Sequence, residues 1–330
     1  MKNIYTWELH PVNSFHRFSE QWDTLNKLHS KSPLLEHRFI GNVINAFSDG
    51  KERLCVCYVN DVIVAMGIFC KTKFGTWQTF QPSQAPLGAW VQHDNLDLDA
   101  ALYHLWKKLP GIVFVVGITQ QDPDINHKPE ETKHITTIPY IETARIPLTD
   151  TFDSYWKERG KNLRQNMRRQ NNKLNRDNIS VRTECINNPD NVASAISDYG
   201  NLESAGWKAQ GGTAIHKDND QGKFYIKLLT DYCQTGVGRI YKCYYNDKLV
   251  AVDLCITGFG KIIILKTTYD ETIKATSPAN IMRLSYMPEL FDNPDIENIE
   301  FYGKVMEWHR KWSSDIREMY HINYKNFSLF

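Results

Sequence analysis

Asp253 lies inside the apolar run LVAVDLCI, and Lys266 inside the neighbouring run IIILKTTYD. A lone charge is expensive to bury in a strand of that kind, so each must meet an opposite charge or a polar group of a substrate. They can pair with each other as a structural bridge, or either can serve a reaction. His309 has a side chain that titrates near neutrality, yet it stands between Trp308 and Trp312, company that equally suits a packed ring. Tyr269, Tyr286 and Tyr302 carry hydroxyls able to give a proton. A different chemistry is offered by Ser277 and Pro278, which stand where an N-cap and a first helical residue belong, with IMRLSYM as the helix body. A strand feeding such a helix start presents free N–H groups, a seat for an anion and often for a phosphate.

The elements that must position these groups form a pattern. RIYKCYYN and LVAVDLCITGF predict a hairpin turning at Asn246-Asp247, and IIILKTTYD predicts a third strand after Gly260-Lys261. The first half carries the same plan. Residues 11–48 predict two helical pieces parted near Pro33, and RLCVCYV and VIVAMGIFC flank Asn60-Asp61. A run around TWQTF leads to the turn Ala85-Pro86-Leu87-Gly88. The helix LDLDAALYHLWKKL follows, closed by Pro110-Gly111, and then the strand IVFVVGI. Arg53 to Ala65 matches Arg239 to Ala251 at a constant offset of 186, with seven identities in thirteen positions. We read two copies of one α/β unit, each a mixed sheet with helices on both faces, over residues 1–148 and 149–330.

Between the copies, residues 121–140 predict a loop and an edge strand, and YIETARIPL a strand. From Trp156 to Arg176 the chain carries eight Lys or Arg against the single acid Glu158. A helix from about Lys161 places Leu163, Met167 and Leu174 on one side and leaves basic residues, Arg164 and Arg168 among them, on the rest. Such a face is either simply solvated or a cationic wall for a phosphate-bearing substrate or RNA.

Composition narrows the class. The 330 residues, 42% hydrophobic and 12% aromatic, suffice for two packed cores. A net charge of +1 gives no global pull toward nucleic acid or membrane. Seven cysteines, mostly within apolar runs, suit reduced core thiols and a cytoplasmic protein, and no stretch has the length of a membrane span. GxSxG, P-loop, HExxH and paired CxxC motifs are absent, which removes support for hydrolase, nucleotidase and zinc chemistry, and no metal is expected. Gln234 to Gly238 (QTGVG) follows a helix and precedes a strand, the wrong context for a pyrophosphate loop, and reads as a helix end and turn.

Glu203-Ser-Ala-Gly206-Trp207-Lys208, the basic run with Asn162-Leu163-Arg164, Lys266-Thr-Thr-Tyr269-Asp270, Ser277-Pro278, and Glu300-Phe301 leading to Trp308 and Trp312 together resemble a bacterial branch of the GNAT acyltransferase superfamily. That branch is the group around CelD-like proteins, relatives of the Fem peptidyltransferases. The likeness is strongest over residues 140–315, and the first half matches mainly in its Ala85 to Trp90 turn. This chain has Ala279 where the branch reads Gly after Ser-Pro, and His309 where it tends to show Lys.

The resemblance implies tandem GNAT-like α/β domains, with the working site in the second. It implies acyl-CoA as co-substrate, its pantetheine arm beside IIILKTTYD at Thr267 and Thr268 and its pyrophosphate on Ser277, Pro278, Ala279, Asn280 and Ile281. An amine then attacks the thioester, which requires a base, an oxyanion donor and an acid near the sulfur. Glu203, as base, amine anchor or plain surface carboxylate, joins Asp253, Lys266, His309 and Tyr302 as candidates, with Trp207, Lys208, Arg164, Arg168 and Tyr269 toward the acceptor. The expected acceptor is a small amine such as an amino sugar or sugar nucleotide of surface-polysaccharide assembly. A Fem-like aminoacyltransferase drawing on tRNA, and a non-catalytic binding module, are the alternatives.

Overall fold

The structure, a computed structural model, describes residues 4–204 and 215–326. The chain folds as two compact units, one comprising the residues up to Thr143 with the segment from Arg317, the other Ala144–Ile316.

The first unit opens with β1 (Thr6–Pro11), α1 (Ser19–Leu25) and α2 (His37–Phe47). Phe39, Ile40, Val43 and Ile44 form the buried stripe of α2. There follow β2 (Arg53–Val59), β3 (Val62–Lys73), β4 (Thr76–Thr79), β5 (Trp90–Gln92), α3 (Leu98–Lys108) and β6 (Val115–Gln121). Helix α3 starts where the Asp97 carboxylate accepts the Ala100 N–H at 3.1 Å, and it stops before Pro110 and Gly111, the latter at φ +84°. Strand β7 (Ile135–Pro147) runs across the unit boundary.

The second unit contains α4 (Phe152–Glu158), α5 (Lys161–Arg176), β8 (Val181–Ile186), α6 (Val192–Ser204), α7 (Asp220–Gln234), β9 (Gly238–Tyr245) and β10 (Lys248–Gly258). It continues with β11 (Lys261–Tyr269), α8 (Pro278–Phe291), β12 (Asn298–Phe301) and α9 (Glu307–Trp312). Strand β13 (Ile316–Lys325) then returns to the first unit, pairing antiparallel with β6. The second domain expected from sequence as 149–330 therefore loses its end to the first unit. The hydrophobic alternation of Tyr320, Ile322 and Tyr324 completes a sheet there.

Strand order is β1-β2-β3-β4-β6-β13 in the first unit, with β5 added on β3, and β8-β9-β10-β11-β12-β7 in the second. Each position has the same sense in both: β4–β6 and β11–β12 are the parallel pairs, and the neighbouring pairs are antiparallel. The repeat extends to hydrogen-bond register. Cys57 faces Ala65 and Tyr58 faces Ile63, so Val64 is an extra, bulged residue; Cys243 faces Ala251 and Tyr244 faces Leu249, so Val250 is its counterpart 186 residues on. Asn60 (φ +49°) and Asn246 (φ +53°) open the two turns. The QTGVG segment is the end of α7 and a turn with Gly236 at φ +75°, as its context requires.

In the second unit α4, α5 and α8 share a core over one sheet face, filled by Leu163, Met167, Leu174, Ile281, Met282 and Trp312. Helices α6 and α7 cover the other face.

Candidate active site

Strands β11 and β12 pair only at Lys261–Asn298, Ile262–Ile299 and Ile263–Glu300. Beyond that β11 runs on to Tyr269 without β12, and the departure coincides with a bulge: Leu254 faces Lys266 and Cys255 faces Ile264, which leaves Leu265 unmatched. The two strands thus form a fork. A cavity of about 380 Å³ lies along it, walled by Thr267 and Tyr269 of β11, Lys274, the first residues of α8, Arg283 and Trp308.

Arg283 anchors the cavity from below. Its side chain is 3% exposed and that of Asp253 is fully buried. Nε donates to Asp253 Oδ2 and Nη2 to Asp253 Oδ1, both at 3.2 Å, a side-on bidentate pair. Nη2 also donates to Thr267 Oγ1 at 2.8 Å, while the Thr267 hydroxyl donates to Asp253 Oδ1 at 2.5 Å and the Tyr286 hydroxyl to Oδ2 at 2.9 Å. Burial works most strongly against the Arg283 charge, but Asp253 and Tyr286 together outweigh it and the guanidinium pKa stands above its ordinary value. Burial and the same carboxylate push the Tyr286 hydroxyl well up, so it stays protonated. The Tyr286 ring stacks on Tyr241 at 4.0 Å.

Trp308 covers the guanidinium, its ring centre 4.7 Å from Arg283 Cζ. Behind it His309 stacks on Trp308 at 3.6 Å and accepts the Met306 N–H on Nδ1 at 2.9 Å. Burial, and then the Arg283 charge, depress the His309 pKa to about 4, so the ring is neutral near pH 7.

These facts redistribute the residues expected from sequence. Asp253 is not joined to Lys266. The register places Asp253 opposite Thr267, and strand alternation sends Lys266 to the other face. Asp253 has no exposed surface, so it acts on the cavity through the wall residues it holds, Arg283 and Thr267. Glu203 is not a surface carboxylate: it is buried at the end of α6 and accepts the Ile215 N–H at 2.8 Å. His309 is a buried brace for Trp308 and does not wall the cavity. Tyr302 follows the end of β12. Trp207 and Lys208 lie outside the described residues.

Of the residues expected to hold the co-substrate, Thr267, Ser277, Pro278, Ala279 and Asn280 wall the cavity. Thr268 lies on the opposite strand face, and Ile281 is buried in the core. The helix start offers less than its sequence suggests. Ser277 adopts φ +51°, makes no side-chain cap and donates its N–H to Lys274, and Pro278 has no N–H. Asn280 and Ile281 both donate to the Ser277 carbonyl, so Ala279 supplies the open donor. Tyr269 is at the cavity mouth, 37% exposed.

Arg164 and Arg168 wall a separate hollow of about 580 Å³ between α5, Trp156 and Leu284 of α8. A second hollow of about 530 Å³ on α5 holds Arg169, Arg310 and Lys311. The six basic residues of α5 are exposed. Arg283 was missed in the sequence because it sits in the helical body IMRLSYM. Its signal was the spacing: a lone cation among the buried positions 281, 282, 286 and 287, within a chain that also buries an acid.

The corresponding fork of the first unit is closed. After Thr79 the loop turns back, Phe80 donating to Ile68 and Ala89 to Phe80, and Gly88 enters between the strands. Thr79 and Thr119 hydroxyls meet at 2.7 Å there, and a Cβ on Gly88 would lie 2.4 Å from the Thr119 carbonyl.

Fold and fork together define two tandem GNAT-like α/β units. Residues 161–310 match the family described as an acetyltransferase (GNAT) domain. No curated protein sequence matches the chain. Among solved structures, FemX is similar with a TM-score of 0.60 at 10% identity, covering 99% of this chain and 98% of its own. The L-PGS of Bacillus licheniformis gives 0.55 at 15% identity, with 94% and 93% covered. A tandem GNAT protein from the clavulanic acid biosynthesis pathway gives 0.50 at 10% identity, with 96% and 98% covered. At such identities the likeness is one of fold. Among the described residues no helix is long and apolar enough to cross a membrane, and no cluster of His, Cys, Asp or Glu forms a metal site.

Proposed function

We propose that the second unit is an N-acyltransferase that moves an acyl group from acyl-CoA to the amine of a small acceptor. The observation that carries this reading is the fork, where β11 runs past its bulge without β12 beside a cavity that ends at the start of α8. An unpaired strand edge can hydrogen-bond the amide groups of an extended pantetheine arm as it would a further strand. Lys274 and the Ala279 N–H suit the phosphates at the mouth. In the transfer the amine nitrogen bonds to the thioester carbonyl carbon, the carbon–sulfur bond breaks, the nitrogen gives up a proton to water, and the thiolate takes up a proton. We assign that proton to Tyr269, the tyrosine on the cavity wall. The first unit, its fork closed by Gly88, contributes no second transfer site.

The acceptor we favour is an amino sugar or sugar nucleotide of surface-polysaccharide assembly. The arginine-lined hollows beside α8 and α9 supply charge for its phosphates. Thiol release from acyl-CoAs of graded chain length, with amino sugars and their nucleotides as acceptors, tests the reading. A second reading, aminoacyl transfer from tRNA, draws on the exposed basic face of α5 and the likeness to FemX. Consumption of aminoacyl-tRNA without thiol release from any acyl-CoA would replace the first reading with the second.

A further inference from the structure

The guanidinium of Arg283 has five N–H donors. Asp253 and Thr267 take the one on Nε and the two on Nη2. The two on Nη1 have no acceptor among the described residues, although the side chain is 97% buried and belongs to the cavity wall. Nη1 is not among the fully buried polar atoms that lack a partner, so it keeps a little accessible surface, and Arg283 is a residue of the cavity wall. Trp308 covers the flat face of the group. A charged donor pair with so little water around it favours an anionic acceptor, because charge-assisted hydrogen bonds are the stronger ones. Neither Asp nor Glu lines the cavity, and Lys274 adds a cation toward its mouth.

We propose that the inner end of this cavity is an anion subsite, in which Arg283 Nη1 donates to an oxygen of a carboxylate or phosphoryl group carried by the substrate. Asp253, Thr267 and Tyr286 hold the guanidinium in one orientation, and Trp308 shields the contact from water. A planar, fixed donor pair selects for geometry as well as charge, which a lysine in the same place would not do. The subsite thus adds to the cavity a requirement that the helix start does not impose. A ligand filling the inner end past Tyr269 is favoured when it carries an anionic oxygen there, on the acyl group or on the acceptor. This rests on the reading of the cavity as the substrate site, but not on the reaction performed there.

The test is calorimetric binding to the full chain of inorganic pyrophosphate, of malonate, and of neutral malonamide. The wild type is compared with the double variant Asp253→Asn/Arg283→Met, which removes both buried charges together, and with Lys274→Ala. The expected result is binding of one or both anions and not of malonamide, weakened by about tenfold or more in the double variant. Which anion binds distinguishes a phosphoryl from a carboxylate ligand. The proposal is overturned if the wild type binds neither anion, if the double variant binds as the wild type does, or if Lys274→Ala weakens binding as much as the double variant does, which would place the anion at the mouth. Should the double variant not fold, Trp308→Leu serves, since it uncovers the guanidinium without touching the buried pair. Severalfold weaker binding supports the subsite, and unchanged binding overturns it. Acyl-CoA turnover is followed in parallel. Anion binding without turnover counts against the reaction alone, and turnover unchanged in the double variant counts against the subsite alone.

Discussion

Arg283 on α8 and Asp253 on β10 form a side-on ion pair at the base of the fork, two bonds of 3.2 Å between side chains 3% and 0% exposed. The pair ties the second turn of the helix to the strand beneath it, and Arg283 belongs to the cavity wall. A buried pair of this kind contributes little beyond an apolar substitute of the same shape, but it is expensive to halve.

Removing one partner should therefore cost more than removing both. Arg283→Met alone leaves the Asp253 charge without its counter-ion and is expected to lose about 3–5 kcal/mol. Adding Asp253→Asn should restore most of that. Urea unfolding of the two singles and the double forms the cycle, and equal losses in single and double would contradict the coupling.

The closed fork of the first unit predicts a packing defect. Gly88→Ala puts a methyl 2.4 Å from the Thr119 carbonyl and 2.5 Å from the Thr79 hydroxyl oxygen, neither of which can yield without opening β4 from β6. We expect a loss of about 1–3 kcal/mol, read as a lower urea midpoint at unchanged slope. Gly41→Ala, where nothing stands within 4 Å, is the control and should not lower the midpoint.

His309 predicts an acid-side dependence. Its pKa is depressed by burial to about 4 in the folded chain, against 6.5 ordinarily. Between those values the unfolded chain binds the proton and the folded one does not. The stabilisation is complete above about pH 6.5 and is lost as pH falls toward 4, by on the order of 3 kcal/mol. His309→Gln, which can still accept the Met306 N–H, should flatten that part of the stability profile. A profile identical to wild type would contradict it.

Lys274 stands exposed at the cavity mouth without a carboxylate beside it on the wall. Lys274→Glu should weaken acyl-CoA binding by about tenfold and reduce its dependence on salt, with stability and the rate at saturation little changed. Titration calorimetry at two ionic strengths checks this. Unchanged affinity would remove Lys274 from the phosphate site.

Much of the scaffold was legible in the sequence because its signals are local. The match of Arg53–Ala65 with Arg239–Ala251 gave two hairpins, and the structure extends it to a shared bulge at Val64 and Val250. The helix from Lys161, the stop at Pro110-Gly111 and the rejection of QTGVG as a phosphate loop follow from capping, periodicity and context within a few residues. The site was legible only in part. Asp253 was recognisable as a charge needing a partner, since an acid in an apolar strand is costly wherever that strand lies.

Which partner it has was beyond the sequence. Lys266 is nearer along the chain, but the register of β10 on β11 sets Thr267 opposite Asp253 and turns Lys266 away. The packing of α8 over that face then brings in Arg283, thirty residues on. The helix start shows the same division: Ser277-Pro278 fixed where the helix begins, while the φ of +51° at Ser277 decided which of its N–H groups remain open. A return of the last strand to the first unit likewise has no local signature, because pairing between distant strands is chosen by the fit of whole faces. The sequence by itself determined the repeated unit and the presence of a buried acid. Tertiary structure decided that one fork is filled by Gly88 and the other is open above an arginine, because both depend on contacts between segments far apart in the chain.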